Sequence, residues 1–305
     1  MATTWTSNYA GKYAGEIMRP VLLGGDTLAN NLVNIHEGVK YKENIPILTI
    51  DDDIIQSYAC DYNNAGTSAT VERVITPTRL MVNHTICKST FYSTWLEDST
   101  GGALVDGQIP NEWYTAFQDH LGEKIATYLE YTLWQGNFES SSYTDFDGVL
   151  KQADDESGTI KQNISALTAS NIIAQMRLAT GAMTAAMVGN TEFRLKVNRK
   201  TAHLYRQAVS NDFNNLTYAN GNDPMFFDGY AIDVCPGIPD DVIAIGKTDD
   251  FHVGLNLVSD ETNIQLVDTS QTLADDNVRI RAVFSGGTAV TNESQIVLAG
   301  VNIES

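Results

Sequence analysis

Residues 111–135 of this chain read NEWYTAFQDHLGEKIATYLEYTLWQ and are followed by Gly136. Apolar residues recur in this stretch at spacings of three and four, which places them on one face of a helix. They are Trp113, Phe117, Leu121, Ile125, Tyr128, Leu129 and Leu133. Glu112 lies in the first turn, where the helix dipole favours negative charge, and Gly136 stands where a helix is expected to end. The sequence therefore predicts a spine helix roughly 38 Å long.

The residues before this helix predict an arm and an extended hairpin rather than a compact domain. Residues 1–40 are rich in Asn, Gly and small polar residues, with too little apolar surface for a core, and a short helix is predicted at 28–35. Such an arm is expected to pack against another subunit. From Tyr41 onward the pattern is β-like. The predicted strands are 45–50, interrupted by Pro46, then 71–75 and 80–86, with an exposed bend at 76–78.

The residues after the spine helix mix helices and strands. Helices are predicted at 165–187, with Ser165 or Thr168 as the N-cap, and at 199–209. The predicted strands are 192–197, 226–234, 242–245, 264–267, 278–284 and 296–298. Because these elements do not alternate as regular βαβ units, the sequence predicts an α+β fold.

The composition argues against several classes of protein. The chain has 305 residues, with 19 basic and 38 acidic ones, so its net charge is −19. This charge disfavours a nucleic-acid reader and a protein that docks on anionic membranes. The N-terminal residues show no apolar run of signal-peptide length, and no stretch is apolar enough to span a membrane. We therefore expect a soluble, acidic protein made inside the cell.

Two motifs suggest ligand binding but are incomplete. Gly246-Lys247-Thr248 matches the end of a phosphate-binding loop, yet Asp241 occupies the position where the first glycine of that loop is required. The segment 145–148, Asp-Phe-Asp-Gly, matches half of a calcium loop, without the glutamate that completes such a loop. We interpret the first as a coincidence and the second as a polar turn.

The remaining candidates for chemistry form no recognisable constellation in the sequence. The five histidines, at 36, 84, 120, 203 and 252, show no helical pair with metal-ligand spacing. Cys60, Cys87 and Cys235 fit neither a disulfide framework nor a nucleophile signature. We therefore predict no catalytic residue, no metal ligand and no cofactor. Tyr114 and Tyr131, which fall off the apolar stripe, could instead anchor an interface.

The order of these parts resembles that of the tailed-bacteriophage major capsid proteins, the HK-type capsid fold. The spine helix ends in Leu-Trp-Gln-Gly-Asn-Phe (133–138) and is followed by Phe-Asp-Gly-Val-Leu (146–150), as is common in that family. The similarity continues through the strand and helix at 192–209, Phe-Phe-Asp-Gly-Tyr-Ala-Ile-Asp-Val (226–234), Pro-Gly-Ile-Pro (236–239) and the strand at 278–284. It covers about residues 10–300, and it rests on the order and spacing of motifs that are individually loose.

The resemblance implies a domain organisation and a role. It implies an N-terminal arm (1–40), an extended loop or E-loop with flanking strands (41–105), the spine helix with the first part of a peripheral domain (106–145), an axial domain (146–254) and the rest of the peripheral domain (255–305). Such subunits form hexamers and pentamers that close into an icosahedral shell around double-stranded DNA. It further implies a virion capsid location, assembly in the cytoplasm of a bacterial host, and a separate scaffolding protein, a portal and cement or decoration proteins as partners, without a membrane.

Two other functions remain open from the sequence. An encapsulin-like nanocompartment shell has a similar fold, and a nucleotide hydrolase built on Gly246-Lys247-Thr248 is a distant alternative. Some members of the capsid family cross-link a lysine of the extended loop to a neighbouring subunit. Lys88 is the only lysine in residues 45–100, and nothing around it marks such chemistry. We therefore expect no covalent cross-link.

Overall fold

The computed structural model describes residues 26–50, 54–58, 60–61, 65–87, 111–138, 142–213, 225–256, 265–269, 275 and 277–301. Most of the predicted arm and Lys88 lie outside these ranges. The described residues form both helices and sheets, so the predicted α+β class is confirmed.

Five α-helices and thirteen strands make up the described parts of the chain. The helices are α1 (Asp26–Ala29), α2 (Asn111–Gln135), α3 (Val149–Asp155), α4 (Ile172–Gly181) and α5 (Arg199–Phe213). The strands are β1 (Asn34–Glu37), β2 (Glu43–Ile50), β3 (Ser68–Ile75), β4 (Thr78–Cys87), β5 (Ile160–Asn163), β6 (Arg194–Val197), β7 (Phe226–Phe227), β8 (Tyr230–Val234), β9 (Ile243–Gly246), β10 (Phe251–Asn256), β11 (Gln265–Asp268), β12 (Asn277–Val290) and β13 (Val297–Gly300). Single 3-10 turns lie at Thr248–Asp250 and Glu293–Gln295.

The spine helix α2 has the bounds that the sequence predicts. Ile125, Leu129 and Leu133 from the predicted stripe are buried, and Trp134 has no exposed surface. These side chains share one core with α3 and with the strands β4, β10 and β12. The side chains of Trp113 and Phe117 lie outside the described part of the structure.

The end of α2 is built differently from the prediction. The residue in the left-handed conformation is Asn137, with φ 55°, and not Gly136. A Cβ at Gly136 would overlap the carbonyl oxygen of Phe146, while the Gly148 amide donates to the Gly136 carbonyl at 2.8 Å. Gly136 is therefore required for the close approach of two backbone segments, and Asn, which tolerates positive φ, ends the helix.

A five-stranded sheet is centred on the 14-residue strand β12. Strand β4 pairs antiparallel with β12 along one edge, and β10 and β11 pair antiparallel with it along the other. Strand β1 then adds parallel to β10. Strand β12 extends beyond the predicted 278–284 because Gly287, where a Cβ would lie 2.7 Å from the Thr76 carbonyl oxygen, lets the link between β3 and β4 cross it closely.

A six-stranded sheet has the order β5-β13-β9-β6-β8-β7. The pairs β5–β13 and β6–β8 are parallel and the others are antiparallel. Strands β7 and β8 are joined by Asp228 and Gly229, both with positive φ, which suits a tight hairpin turn. Helices α4 and α5 contribute to the apolar core of this sheet.

The sheets do not follow the division of the chain at residue 254. Strand β13, in the predicted peripheral segment 255–305, pairs with β5 and β9 of the six-stranded sheet. Strand β10 begins at Phe251, inside the predicted axial segment, yet belongs to the five-stranded sheet. A division into contiguous segments misses this exchange because strand pairing joins residues that are far apart in sequence.

A two-stranded antiparallel hairpin, β2–β3, makes up the rest of the β-structure in the described residues. Strand β2 runs through Pro46 without interruption, and Pro46 lies opposite Glu72. Proline is tolerated here because β2 has a sheet partner on one side alone. The partner of β4 is β12 and not β3, so the hairpin is formed by the strands on either side of residues 51–67.

Two predicted helices differ from the structure. In place of a helix at 28–35, the chain forms α1 and then β1, which pairs with β10. The helix predicted at 165–187 is shorter and begins at Ile172. Neither Ser165 nor Thr168 caps it, because the Ser165 and Leu167 amides donate to the side chains of Gln175 and Asp241. The Leu167 and Thr168 amides, which a cap at Ser165 would hold, are thus taken by the side chains of Asp241 and Asn171, and the first turn forms only at Ile172.

Candidate interaction surface

The hairpin β2–β3 carries an unusual share of exposed apolar side chains. Of the thirteen large apolar side chains that are exposed in the described residues, nine lie between residues 41 and 81. They are Tyr41, Leu48, Ile50, Ile54, Ile55, Tyr58, Val71, Val74 and Met81. Leu48, Ile50 and Val74 share one face of the hairpin, since alternate residues of paired strands point the same way. We call eight of these residues, all except Met81, which lies on β4, the hairpin surface.

The inner end of the hairpin, by contrast, is packed into the body of the protein. Ile75, the last residue of β3, has no exposed surface. A Cβ at Gly254 would lie 2.6 Å from Ile75 Cγ2, so β10 needs a glycine to let Ile75 lie against it. The hairpin is therefore fixed at its root and exposed further out.

A charged cluster holds the β3 side of this root. The Arg73 guanidinium donates to Glu156, just after α3, and to Glu293, in the turn before β13. Burial raises the pKa of the Glu293 carboxyl, and the adjacent Glu156 raises it further. Burial also acts to raise the pKa of the Glu156 carboxyl. The hydrogen bond from Arg73 helps to outweigh this effect, so the pKa of Glu156 lies below its usual range. One arginine thus ties the hairpin to two other elements of the fold.

A histidine pair lies on the β2 side of the root. His36 on β1 approaches His252 on β10, with 2.9 Å between His36 Nε2 and His252 Nδ1. His36 Nδ1 lies 2.8 Å from the carboxylate of Glu43, the first residue of β2. His252 Nε2 lies 3.2 Å from the Thr291 hydroxyl. Burial, together with the charge of His36, lowers the pKa of His252 to about 4.

Buried polar groups fasten residues 26–33 to the spine helix. The Thr27 amide and hydroxyl both donate to the Glu130 carboxylate, and the Trp134 indole donates to the Thr27 hydroxyl at 2.9 Å. Burial raises the pKa of Glu130, and the hydrogen bonds from Thr27 partly offset this effect. The part of the predicted arm that the structure describes is thus an integral part of the core.

A buried lysine completes this anchorage. Lys196 on β6 has no exposed surface and donates to the Leu32 carbonyl at 2.7 Å. It also pairs with Asp233 on β8 at 3.3 Å, and Asp233 is shared with Arg194. The Lys196 ammonium further lies 5.4 Å from the centroid of the Phe251 ring. The lysine joins the arm to the six-stranded sheet.

The residues of the partial phosphate-loop motif make contacts within the protein. Gly246 ends β9, and Thr248 begins a 3-10 turn instead of a helix. The Lys247 ammonium pairs with Glu192 at 2.8 Å and lies 5.2 Å from the centroid of the Phe193 ring. A lysine engaged by a carboxylate is not presented to a phosphate. This arrangement supports the interpretation of the motif as a coincidence.

The partial calcium motif is also occupied by contacts within the chain. The Tyr128 hydroxyl donates to Asp145, and the Asn137 amide donates to Asp147 at 2.7 Å. Both carboxylates line an open cavity of about 460 Å³ beside Thr76 and Thr78. In the part of the chain that the structure describes, no group of three or more His, Cys, Asp or Glu side chains is arranged to hold a metal ion.

The other candidate residues lie apart from one another. Cys60 is exposed, Cys87 is partly buried, and Cys235 is buried, which raises its pKa to about 12. Tyr131 stacks on Tyr143 with 5.3 Å between the ring centroids. The side chains of Tyr114 and His120 lie outside the described residues, and within those residues no helix is long and apolar enough to cross a membrane.

Comparison with known proteins identifies the fold. No protein-family model and no curated protein sequence matches the chain. Among solved structures, a chain of the satellite phage P4 procapsid, which includes the size determination (Sid) protein, matches with a TM-score of 0.58 and 10% identity, over 97% of this chain and 93% of that one. A chain of the capsid of an empty GTA particle matches with a TM-score of 0.55 and 13% identity, over 99% and 94%. A chain from mycobacterium phage Ogopogo matches with a TM-score of 0.59 and 11% identity, over 91% and 92%.

These matches span nearly the whole of both chains in each comparison. The protein therefore has the fold of the tailed-phage major capsid proteins, and the resemblance inferred from the sequence is confirmed at the level of the fold.

Proposed function

We propose that this protein is the major capsid protein of a tailed phage, which assembles as hexamers and pentamers into an icosahedral shell around double-stranded DNA. The observation that carries this proposal is the hairpin surface on a fold shared with phage capsids. An extended two-stranded hairpin cannot bury its own two faces, so its exposed apolar side chains need a partner to cover them. Contact with neighbouring copies would cover these side chains.

A structural role also agrees with the chemistry of the described residues. Three of the charged residues described above hold elements of the fold together: Lys196 with Asp233, Lys247 with Glu192, and Arg73 with two glutamates. Shell formation needs no cofactor and no catalytic residue. It needs large complementary interfaces repeated by symmetry.

The net charge suits a shell that encloses DNA without binding it tightly. At −19 the subunit repels a polyanion, so the enclosed DNA would stay mobile. In this proposal the shell is the virion capsid and is assembled in the cytoplasm of the bacterial host. A separate scaffolding protein, a portal and cement or decoration proteins would be its partners, and no cross-link through Lys88 is expected.

The sheets support an assignment of domains within this proposal. The β2–β3 hairpin corresponds to the extended loop, and α2 with the five-stranded sheet corresponds to the peripheral domain. The six-stranded sheet with α4 and α5 corresponds to the axial domain, to which β13 also contributes. Residues 1–40 remain assigned to the arm, with 26–33 fixed on the subunit's own core.

Electron microscopy of the purified protein, expressed alone and with a scaffolding protein, tests this function. We expect closed shells tens of nanometres across, built of hexameric and pentameric units. Shells that form in the native host and contain DNA would support a capsid, whereas shells filled with one enzyme would support a nanocompartment. A monomer or dimer under both conditions would contradict the proposal.

A further inference from the structure

The histidine pair at the hairpin root joins elements that come from four parts of the chain. His36 belongs to β1, His252 to β10, Glu43 begins the hairpin, and Thr291 follows β12 directly. Their polar atoms form one continuous series from Glu43 through His36 and His252 to Thr291, with separations of 2.8, 2.9 and 3.2 Å. The contact of Glu43 with this series is a polar tie between β2 and the five-stranded sheet.

The number of protons on the two rings decides whether this series is intact. With both rings neutral, the series is continuous when the Thr291 hydroxyl donates to His252 instead of to the Asp249 carbonyl, which lies 3.5 Å away. His252 then donates to His36, and His36 donates to the Glu43 carboxylate. One additional proton is accommodated if His36 donates from both nitrogens and His252 donates to the Thr291 oxygen. A second additional proton places two N–H groups and two positive charges face to face across 2.9 Å. The pair therefore accepts one additional proton in this arrangement but not two.

The groups around the pair have opposing effects on the pKa of His252. Burial and the neighbouring His36 disfavour a charged His252, whereas the carboxylates of Asp249 and Glu43 favour it. Asp249 belongs to the 3-10 turn before β10, and Thr291 contributes an uncharged hydroxyl. Asp250, beside Asp249, is buried and accepts a hydrogen bond from Asn292 at 2.7 Å. Together these effects lower the pKa of His252. Protonation of His252 at low pH therefore destabilises the hydrogen-bonded series.

We propose that the His36–His252 pair is a proton-operated latch that holds the β2 side of the hairpin root and releases it when both rings become protonated. Arg73 and the buried Ile75 still hold the β3 side, so release lets the first residues of β2 separate from β3 without unfolding the body. The state of this latch sets whether β2 stays paired with β3 at the root of the hairpin. The inference concerns the isolated chain and does not depend on the proposed function.

Hydrogen exchange followed by mass spectrometry on the unassembled full-length chain tests this latch. The measurement runs from pH 7.5 to 5.0, above the isoelectric point of about 4.4, with rates corrected for intrinsic exchange. We expect the protection of residues 43–47 to fall at least tenfold between pH 6.5 and 5.0. Each lowering of the pH by one unit favours the doubly protonated open form by up to about tenfold. Protection of β13 serves as the internal standard and is expected to stay unchanged.

Glutamine variants separate the histidines from the other acid-sensitive groups. His252→Gln and, independently, His36→Gln are expected to keep the protection of 43–47 at pH 5.0, since neither variant can place two charged rings together. His203→Gln is the matched control, because His203 is exposed on α5 and contacts Gln207. The proposal is overturned if the parent shows no loss of protection. It is equally overturned if both latch variants lose protection at the same pH as the parent, a result that would assign the effect to carboxyl groups whose pKa is raised by burial, such as Glu293 and Asp250.

Discussion

Lys196 is the residue whose charge is most completely removed from water in the described structure. It has no exposed surface, and its ammonium is held by the Leu32 carbonyl, by Asp233 and by the face of Phe251. A buried charge of this kind is tolerated when its partners are complete, and it is costly when one of them is lost. Lys196 therefore fixes the arm to the six-stranded sheet.

Replacing this lysine tests that role. Lys196→Met retains the volume but leaves the Leu32 carbonyl without its donor and Asp233 with Arg194 alone. We expect a loss of about 3 kcal/mol in the free energy of unfolding, measured by urea denaturation. The matched control is Lys200→Met, which breaks an exposed ion pair with Asp240 and should leave stability nearly unchanged. Equal stability of both variants would contradict the anchoring role of Lys196.

The sequence predicts which side chains are buried better than it predicts the residues that they contact. The stripe on α2 follows from its spacing, and Ile125, Leu129 and Leu133 are buried as predicted. The histidine pair was missed because its members are 216 residues apart and meet through the pairing of β1 with β10. Periodicity reports the face on which a residue lies, and it carries no information on contacts between distant segments.

The spine helix depends on glycines that lie outside it. Gly237, in the turn after β8, approaches α2 so closely that a Cβ would overlap the Glu130 carbonyl oxygen and lie 2.6 Å from Trp134 Cδ1. The Gln135 side chain donates to the Gly237 carbonyl at 2.8 Å, which fixes the turn against the helix. The contact connects α2 to the six-stranded sheet through backbone atoms that cannot move aside easily.

An alanine at this position should therefore separate the two elements. We expect Gly237→Ala to lower the free energy of unfolding by about 3 kcal/mol, because the helix backbone must shift to admit one methyl group. Gly181→Ala, where a Cβ would meet nothing within 4 Å, is the control and should be neutral or slightly stabilising. Thermal unfolding of the two variants beside the parent would measure the difference. A neutral Gly237→Ala would mean that the turn has room to move.

Local sequence patterns predict most of the helices and strands but not all of their bounds. The helix α2 and the strands β3, β4, β6, β9 and β11 are found close to the predicted positions. The start of α4 was misplaced because the side chains of Asp241 and Asn171 take the amides that a cap at Ser165 would hold. Strand β12 was cut short because Gly286 and Gly287 signal a break in isolation, although in the fold they continue the strand beneath Thr76.

Three features of the whole molecule agree with the proposed assembly of many copies. The fold is that of phage capsid proteins, the hairpin surface is apolar and exposed, and the roots of the hairpin and the arm are firmly anchored. A rigid root with an exposed outer part suits an element that covers a neighbour. The order of parts along the sequence predicted this architecture. That β10 belongs to the five-stranded sheet and β13 to the six-stranded sheet is seen only in the structure.

The proposed burial of the hairpin surface by neighbouring subunits is tested most directly at Leu48. Leu48 is 68% exposed on the outer part of β2 and lies opposite Thr70, so its substitution should not disturb the core. We expect Leu48→Asp to reduce the sedimenting assembled fraction at least tenfold, because an unpaired carboxylate would be buried at every subunit contact, while Leu48→Met assembles like the parent. Both variants should retain the stability of the parent subunit. Full assembly of Leu48→Asp into closed shells would contradict the account.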